Sequence, residues 1–150
     1  MRAAAALVRT DTPPAGLPTI AVESPLAALQ RLAAADTCDT GEGIILEYTN
    51  RHTGGPVMPT IACHMQLLRP GEKIEARRRV CCTNYHAVEG AGYSLVGGQR
   101  VDWDDKDVFT VPTWTFYEHV NSGDRPAFLF SFSDAPVMKA LSLYRDQTRP

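Results

Sequence analysis

From Ile44 onward the chain alternates short apolar runs with clusters of Gly, Pro and Asp. Runs rich in Val, Ile, Tyr and Phe fall at 44–48, 60–68, 83–88, 92–96, 100–103, 108–111, 116–120 and 126–132. Segments this short, punctuated by turn residues, predict strands of an all-β sandwich or jelly-roll barrel. Gly97-Gly98 sits between two such runs and predicts a hairpin. Upstream the period changes. Ser24-Pro25 offers an N-cap followed by proline at the first helical position, and Leu26, Leu29, Leu32 and Ala33 recur at helical spacing. This predicts a helix ending near Ala35, with a loop over Asp36–Gly43. After Asp134, the stretch Pro136–Tyr144 predicts a closing helix with Val137, Leu141 and Tyr144 on one face. Residues 1–22, rich in Ala, Pro and Thr, predict a mobile arm. The expected organisation is an arm (1–22), a helix and linker (23–43) and one β domain (44–150).

Composition adds bounds rather than chemistry. A chain of 150 residues, 44% of them hydrophobic, is long enough for one domain with a real core. A net charge of -2 gives no reason to expect nucleic acid or an anionic membrane as partner. No apolar run approaches the roughly 20 residues needed to span a bilayer. The apolar stretch Ala3–Val8 is cut short by Arg9 and is too brief for a secretory signal. Cys38, Cys63, Cys81 and Cys82 form no CxxC pair, and the adjacent Cys81 and Cys82 would bridge only with strain. They are expected as reduced thiols in a cytoplasmic protein.

Two stretches carry the chemistry: GEKIEARRRVCCTNYHAVEGAGYS at 71–94 and KDVFTVPTWTFYEHVN at 106–121. Their layout resembles the paired motifs of a cupin barrel. The phrases LEYTNRHTGGPVMPTIACHMQLLRPGE (46–72), YHAVEGAGYS, DVFTVPTW, EHVNSGD and LFSFSDAPVMKALSLYR resemble, more narrowly, the C-terminal cupin of gentisate 1,2-dioxygenase and 1-hydroxy-2-naphthoate dioxygenase. The resemblance covers residues 44–146. It implies a cupin jelly roll, in a family of bicupins that use non-haem iron(II) and dioxygen to open the ring of a hydroxylated aromatic acid. In that family the catalytic iron usually lies in the first cupin, whereas this chain matches the second.

Measured against the motif, Gly71, Glu72, Gly90, Pro112, Trp114 and Asn121 fit. The ligand positions do not. Arg77 and Arg79 stand where an iron-binding cupin has two histidines, Thr83 or Asn84 where many have a glutamate, and Tyr117 where the second motif has its histidine. Lys106 replaces the glycine that usually opens the second motif. Arginine stays protonated and offers no lone pair, and two guanidinium groups repel a divalent cation. No metal is expected at these positions.

If positions 77 and 79 face inward, the resemblance turns Thr83 and Tyr85 inward too. Strand alternation adds His119 beside Tyr117, and sets His64 and Gln66 on one face with Cys63 and Met65 on the other. Arg77, Arg79, Gln66, Tyr85 and His64 would then form a substrate-binding set suited to an aromatic carboxylate, since guanidinium pairs bidentately with carboxylate. Alternatively, Arg77 and Arg79 pair with acids such as Glu89 or Glu118. Arg78 and His86 are expected to face outward, and His52 lies in a polar loop. Met58, Met65 and Met138 are expected in the core, Trp103 and Trp114 in the core or at its rim, and Asp102–Asp107 in a solvated turn.

Three functions compete. The first is a metal-free cupin that binds an aromatic acid or partners a separate iron-bearing cupin subunit, with no cofactor of its own. The second is an active dioxygenase whose iron(II) is held by unusual ligands such as His64, His119 and Tyr117 or Tyr85. The third is a metal-independent isomerase, cyclase or lyase with Tyr117 as acid, His119 as base and the arginines as anion clamps. A homodimer is expected, because barrel edge strands invite pairing.

Overall fold

A computed structural model describes residues 3–6, 25–34 and 42–149. In chain order the elements are β1 (Ala3–Ala6), α1 (Pro25–Ala34), β2 (Ile44–Thr49), β3 (Ala62–Leu68), β4 (Arg77–Arg79), β5 (Thr83–Glu89), β6 (Gly92–Val96), β7 (Gln99–Trp103), β8 (Val108–Val111), β9 (Tyr117–Asn121), β10 (Ala127–Ser133), α2 (Ala135–Ala140) and β11 (Asp146–Thr148). The strands form two sheets, in the orders β1-β2-β3-β10-β5-β8 and β11-β4-β9-β6-β7. Every pairing is antiparallel except that of β1 with β2. This is the jelly roll that the strand pattern predicts.

One core lies between the sheets and is built from Leu68, Ile74, Tyr85, Ala87, Trp103, Phe109, Tyr117 and Leu129, among others. A second lies on the outer face of the six-stranded sheet, where Leu29 of α1 is wholly buried against Ile44, Leu46, Met65, Leu67 and Phe128. Strand alternation therefore feeds both cores: on β3, Cys63 and Met65 pack with the helix side while His64 and Gln66 turn to the barrel interior.

Several expectations are corrected. Ala3–Ala6, placed in a mobile arm, is a strand running parallel to β2; backbone pairing at a sheet edge needs no side-chain pattern. The rest of the arm, and Cys38, lie outside the described residues. The closing helix stops at Ala140 instead of Tyr144. Ser142 takes a left-handed φ of 58°, the N–H groups of Leu143 and Tyr144 both donate to the Met138 carbonyl, and Leu141 is left 62% exposed. Met58 is 51% exposed rather than in the core, on the loop that leads into β3. Strands β4 and β11 carry no apolar alternation and are additions to the predicted set.

Candidate functional site

Strand β4 reads Arg-Arg-Arg, and alternation divides it. Arg78 faces outward, where its guanidinium lies over the rings of Trp114 (4.4 Å) and Phe116 (4.6 Å) and donates to Gln147 Oε1 (2.7 and 2.9 Å). Arg77 and Arg79 face the barrel, with side chains only 12% and 14% exposed. Burying two guanidinium groups this deeply is costly without counter-charge. Two carboxylates supply it. Glu42, in the turn before β2, places Oε1 against Arg77 Nη1 and Arg79 Nη2. Asp146, the first residue of β11, lies 3.3–3.4 Å from Arg77 Nη2 and Nε and 3.1 Å from Arg79 Nε. The cluster carries two positive and two negative charges. Neither Glu89 nor Glu118 takes part; Glu118 pairs with Lys73 at 2.8 Å.

Behind the cluster lies a cavity of about 30 Å³, room for about two water molecules. Its wall includes most of the predicted interior set: Arg77, Arg79, Thr83, Tyr85, Tyr117, His64 and Gln66. Gln66 donates to the Glu42 carbonyl (2.6 Å), tying β3 to the loop that carries the carboxylate. Burial, with Tyr117 beside it, pushes the Tyr85 hydroxyl well above the usual phenol range. Glu42, Lys139, Tyr144 and the serines of β10, Ser131 and Ser133, also line the wall. Those residues escaped sequence reasoning. The one signal that points toward Glu42 and Asp146 is the rule that buried arginines need carboxylates, and it does not say which ones.

His119 is interior but not on the cavity wall. It is wholly buried, 4.5 Å from the Tyr85 ring and 5.3 Å from that of Tyr117. The Trp103 indole N–H donates to Ser94 Oγ (2.9 Å), which lies 2.8 Å from His119 Nδ1. Ser94 meets the most groups by accepting from Trp103 and donating to Nδ1, which leaves the proton of the imidazole on Nε2. Nε2 has no hydrogen-bond partner among the described residues, and the imidazole packs edge-to-face against the rings of Tyr85 and Phe109. Burial, reinforced by the charge of Arg79, pushes the His119 pKa down to about 3.

These residues do not fit iron. Arg77 and Arg79 have no lone pair to give, Nδ1 of His119 is engaged by Ser94, and among the described residues no three His, Cys, Asp or Glu side chains gather as a metal site. The motif residues that do match have architectural roles. Gly71 and Gly90 adopt φ of 72° and 101°, and a side chain at Gly90 would meet Ala127 at 2.7 Å. Asn121 donates to the carbonyls of Leu68 (3.0 Å) and Arg125 (2.7 Å) and accepts from the Gly123 N–H (2.9 Å). Glu72 accepts from the Arg69 N–H at 2.7 Å. Burial raises the pKa of the Cys63 and Cys81 thiols; these two and Cys82 are free.

No protein-family model matches the chain. Individual proteins do. A 5-aminosalicylate 1,2-dioxygenase from Comamonas sp. is 45% identical over 118 residues, covering 77% of this chain and 31% of that protein. Gentisate 1,2 dioxygenase 1 from Aquipseudomonas alcaligenes is 34% identical over 119 residues, covering 79% and 34%. The crystal structure of salicylate 1,2-dioxygenase from Pseudoaminobacter salicylatoxidans, an adduct with gentisate, superposes with a TM-score of 0.74 at 32% identity, over 83% of this chain and 34% of that one. The chain thus spans about one third of the length of these relatives. The sheet order, the retained turn residues and these similarities agree: the chain is a cupin domain of the gentisate- and salicylate-type 1,2-dioxygenase family.

Proposed function

We propose that this chain is a metal-free cupin that works beside an iron-bearing cupin of a gentisate-type dioxygenase and opens no ring by itself. The observation that carries this reading is the Glu42–Arg77–Arg79–Asp146 cluster, whose two arginines stand at the positions of the motif's iron-binding histidines and are neutralised by carboxylates. The relatives' additional length, about twice that of the matched part, leaves room for a separate iron-bearing cupin. Homodimerisation through barrel edges and a reducing, cytoplasmic setting for the free thiols complete the proposal. Metal analysis after anaerobic purification and iron(II) reconstitution tests it, together with dioxygen uptake on gentisate, salicylate and 5-aminosalicylate. The expected result is far less than one iron per chain and no uptake. Near-stoichiometric iron, or uptake by this chain alone, overturns the proposal and revives the dioxygenase with unusual ligands.

A second reading, that the barrel binds an aromatic carboxylate, is favoured by one observation: Arg77, Arg79 and Lys139 share a cavity wall with Tyr85 and Tyr117. A cavity of about 30 Å³ is far smaller than the roughly 150 Å³ that accommodates benzene in an apolar core. Such a ligand therefore requires the mouth to open. The metal-independent acid–base reading has less support, because a histidine with a pKa of about 3, whose basic Nδ1 already accepts from Ser94, is a poor base for Tyr117 to work with.

A further inference from the structure

The two carboxylates that neutralise the arginine pair are not held alike. Glu42 is buried, it pairs with both guanidinium groups, and its backbone carbonyl accepts a hydrogen bond from Gln66. Asp146 makes contacts of 3.1–3.4 Å, long for charge-assisted hydrogen bonds, which typically run about 2.7–2.9 Å. Its side chain is 23% exposed against 12% for Glu42. The strand that carries it is three residues long, exposed throughout, and lies at a sheet edge with β4 as its neighbour. Short exposed edge elements open at the lowest free-energy cost in a fold. On the outer side, Gln147 holds Arg78. Remove Asp146, and Arg77, Arg79 and Glu42 are left with one net positive charge at the mouth of the barrel.

We propose that Asp146 is an internal, displaceable ligand of a carboxylate receptor formed by Arg77 and Arg79, and that β11 leaves its edge when a free organic carboxylate takes the place of Asp146. The incoming carboxylate repeats the guanidinium contacts of Asp146 and restores neutrality. Its body enters the space that β11 vacates, against Tyr117 and Tyr144 of the cavity wall. Closed, the site is self-satisfied; open, it is selective for one negative charge. The inference deepens the carboxylate-binding reading and is independent of the partner reading.

Calorimetric titration of sodium benzoate into the wild-type chain, Asp146→Asn and Gln147→Ala, against sodium chloride at equal ionic strength, tests it. An internal competitor lowers apparent affinity by the fraction of molecules in the open state. Asp146→Asn, which keeps the side-chain shape but drops the charge, should therefore bind benzoate about 10-fold more tightly than wild type. Gln147→Ala loosens β11 from outside without touching the charge cluster and should tighten binding about 3-fold. In the wild type, benzoate should speed hydrogen exchange of the amides over 145–149 and leave the other strands unchanged. If neither variant binds benzoate more tightly than chloride, the receptor itself is refuted. If Asp146→Asn binds but benzoate leaves wild-type exchange over 145–149 unaltered, the gate is refuted while carboxylate binding stands.

Discussion

Glu42 shows how much one side chain decides here. It neutralises Arg77 and Arg79 together from a loop with no motif around it. Glu42→Gln keeps the shape and leaves two buried cations with one carboxylate. Breaking a buried ion pair from one side typically costs about 3–5 kcal/mol, and a loss of about 3 kcal/mol is expected in denaturant unfolding. His119 makes a second residue-scale prediction. Its folded pKa of about 3 lies below the ordinary value of 6.5, so protonation favours the unfolded chain. Its contribution is complete above about pH 6.5 and is lost as pH falls toward 3, at about 1.4 kcal/mol per pH unit and about 5 kcal/mol in all. Replacing His119 with Gln should flatten the acid limb of the stability–pH curve by about one proton. An unchanged slope would show that the imidazole is not held neutral. At this scale the sequence supplied the division of the arginines, since alternation puts Arg77 and Arg79 on one side and Arg78 on the other; the structure decided that the pair faces inward. The sequence could not supply their partners, because both come from segments far along the chain.

At the scale of elements, the legible ones carry apolar periodicity. β2, β3, β5, β6, β7, β8, β9 and β10 lie close to the predicted runs, and α1 ends one residue from its predicted stop. The elements missed, β1, β4 and β11, are an alanine run, an arginine triplet and Asp-Gln-Thr. Their strand state rests on backbone pairing with a distant neighbour, which leaves no trace in hydropathy. Turns were readable where glycine stands and misleading where it does not. Lys106 occupies a position at which the resemblance expects glycine, and it adopts φ of 73°, with its N–H donating to the Ala87 carbonyl at 2.6 Å. A left-handed conformation costs a residue with a Cβ about 1–2 kcal/mol, offset in part by the greater unfolded-state freedom of glycine. Lys106→Gly should stabilise the turn between β7 and β8 by about 0.5–1 kcal/mol, raising Tm by about 2 °C. A lower Tm would show that the lysine side chain contributes more than its backbone costs.

At the scale of the whole molecule, the two cores share the six-stranded sheet. Leu29 packs on its outer face, while Tyr85, Ala87 and Leu129 face the other sheet from the same strands. Loss of the outer core should therefore propagate inward. Leu29→Ala removes a fully buried side chain and should cost about 2–5 kcal/mol. In a Trp114→Phe background, Trp103, buried in the inner core, makes fluorescence a reporter of that side, and its transition should shift together with far-UV circular dichroism. A shift confined to the helical signal would mean that α1 docks as a separate unit. The residues that keep the cupin motif recognisable, Gly71, Glu72, Gly90 and Asn121, shape turns and satisfy backbone groups. They can therefore persist when the ligands do not: the barrel needs them whether or not a metal is held.

The sequence by itself determined the strand-rich barrel, the helix that precedes it, the placing of Arg77 and Arg79 on one side of their strand with Arg78 on the other, and the unsuitability of arginine as an iron ligand. Each of these follows from local periodicity or from the chemistry of a single side chain. Only the tertiary structure decided that Glu42 and Asp146 neutralise the arginines, that His119 is buried beside Tyr85 and Tyr117, and that β11 pairs with β4 at the sheet edge. These depend on which distant segments meet, and buried charge fixes that a partner must exist without fixing where along the chain it lies.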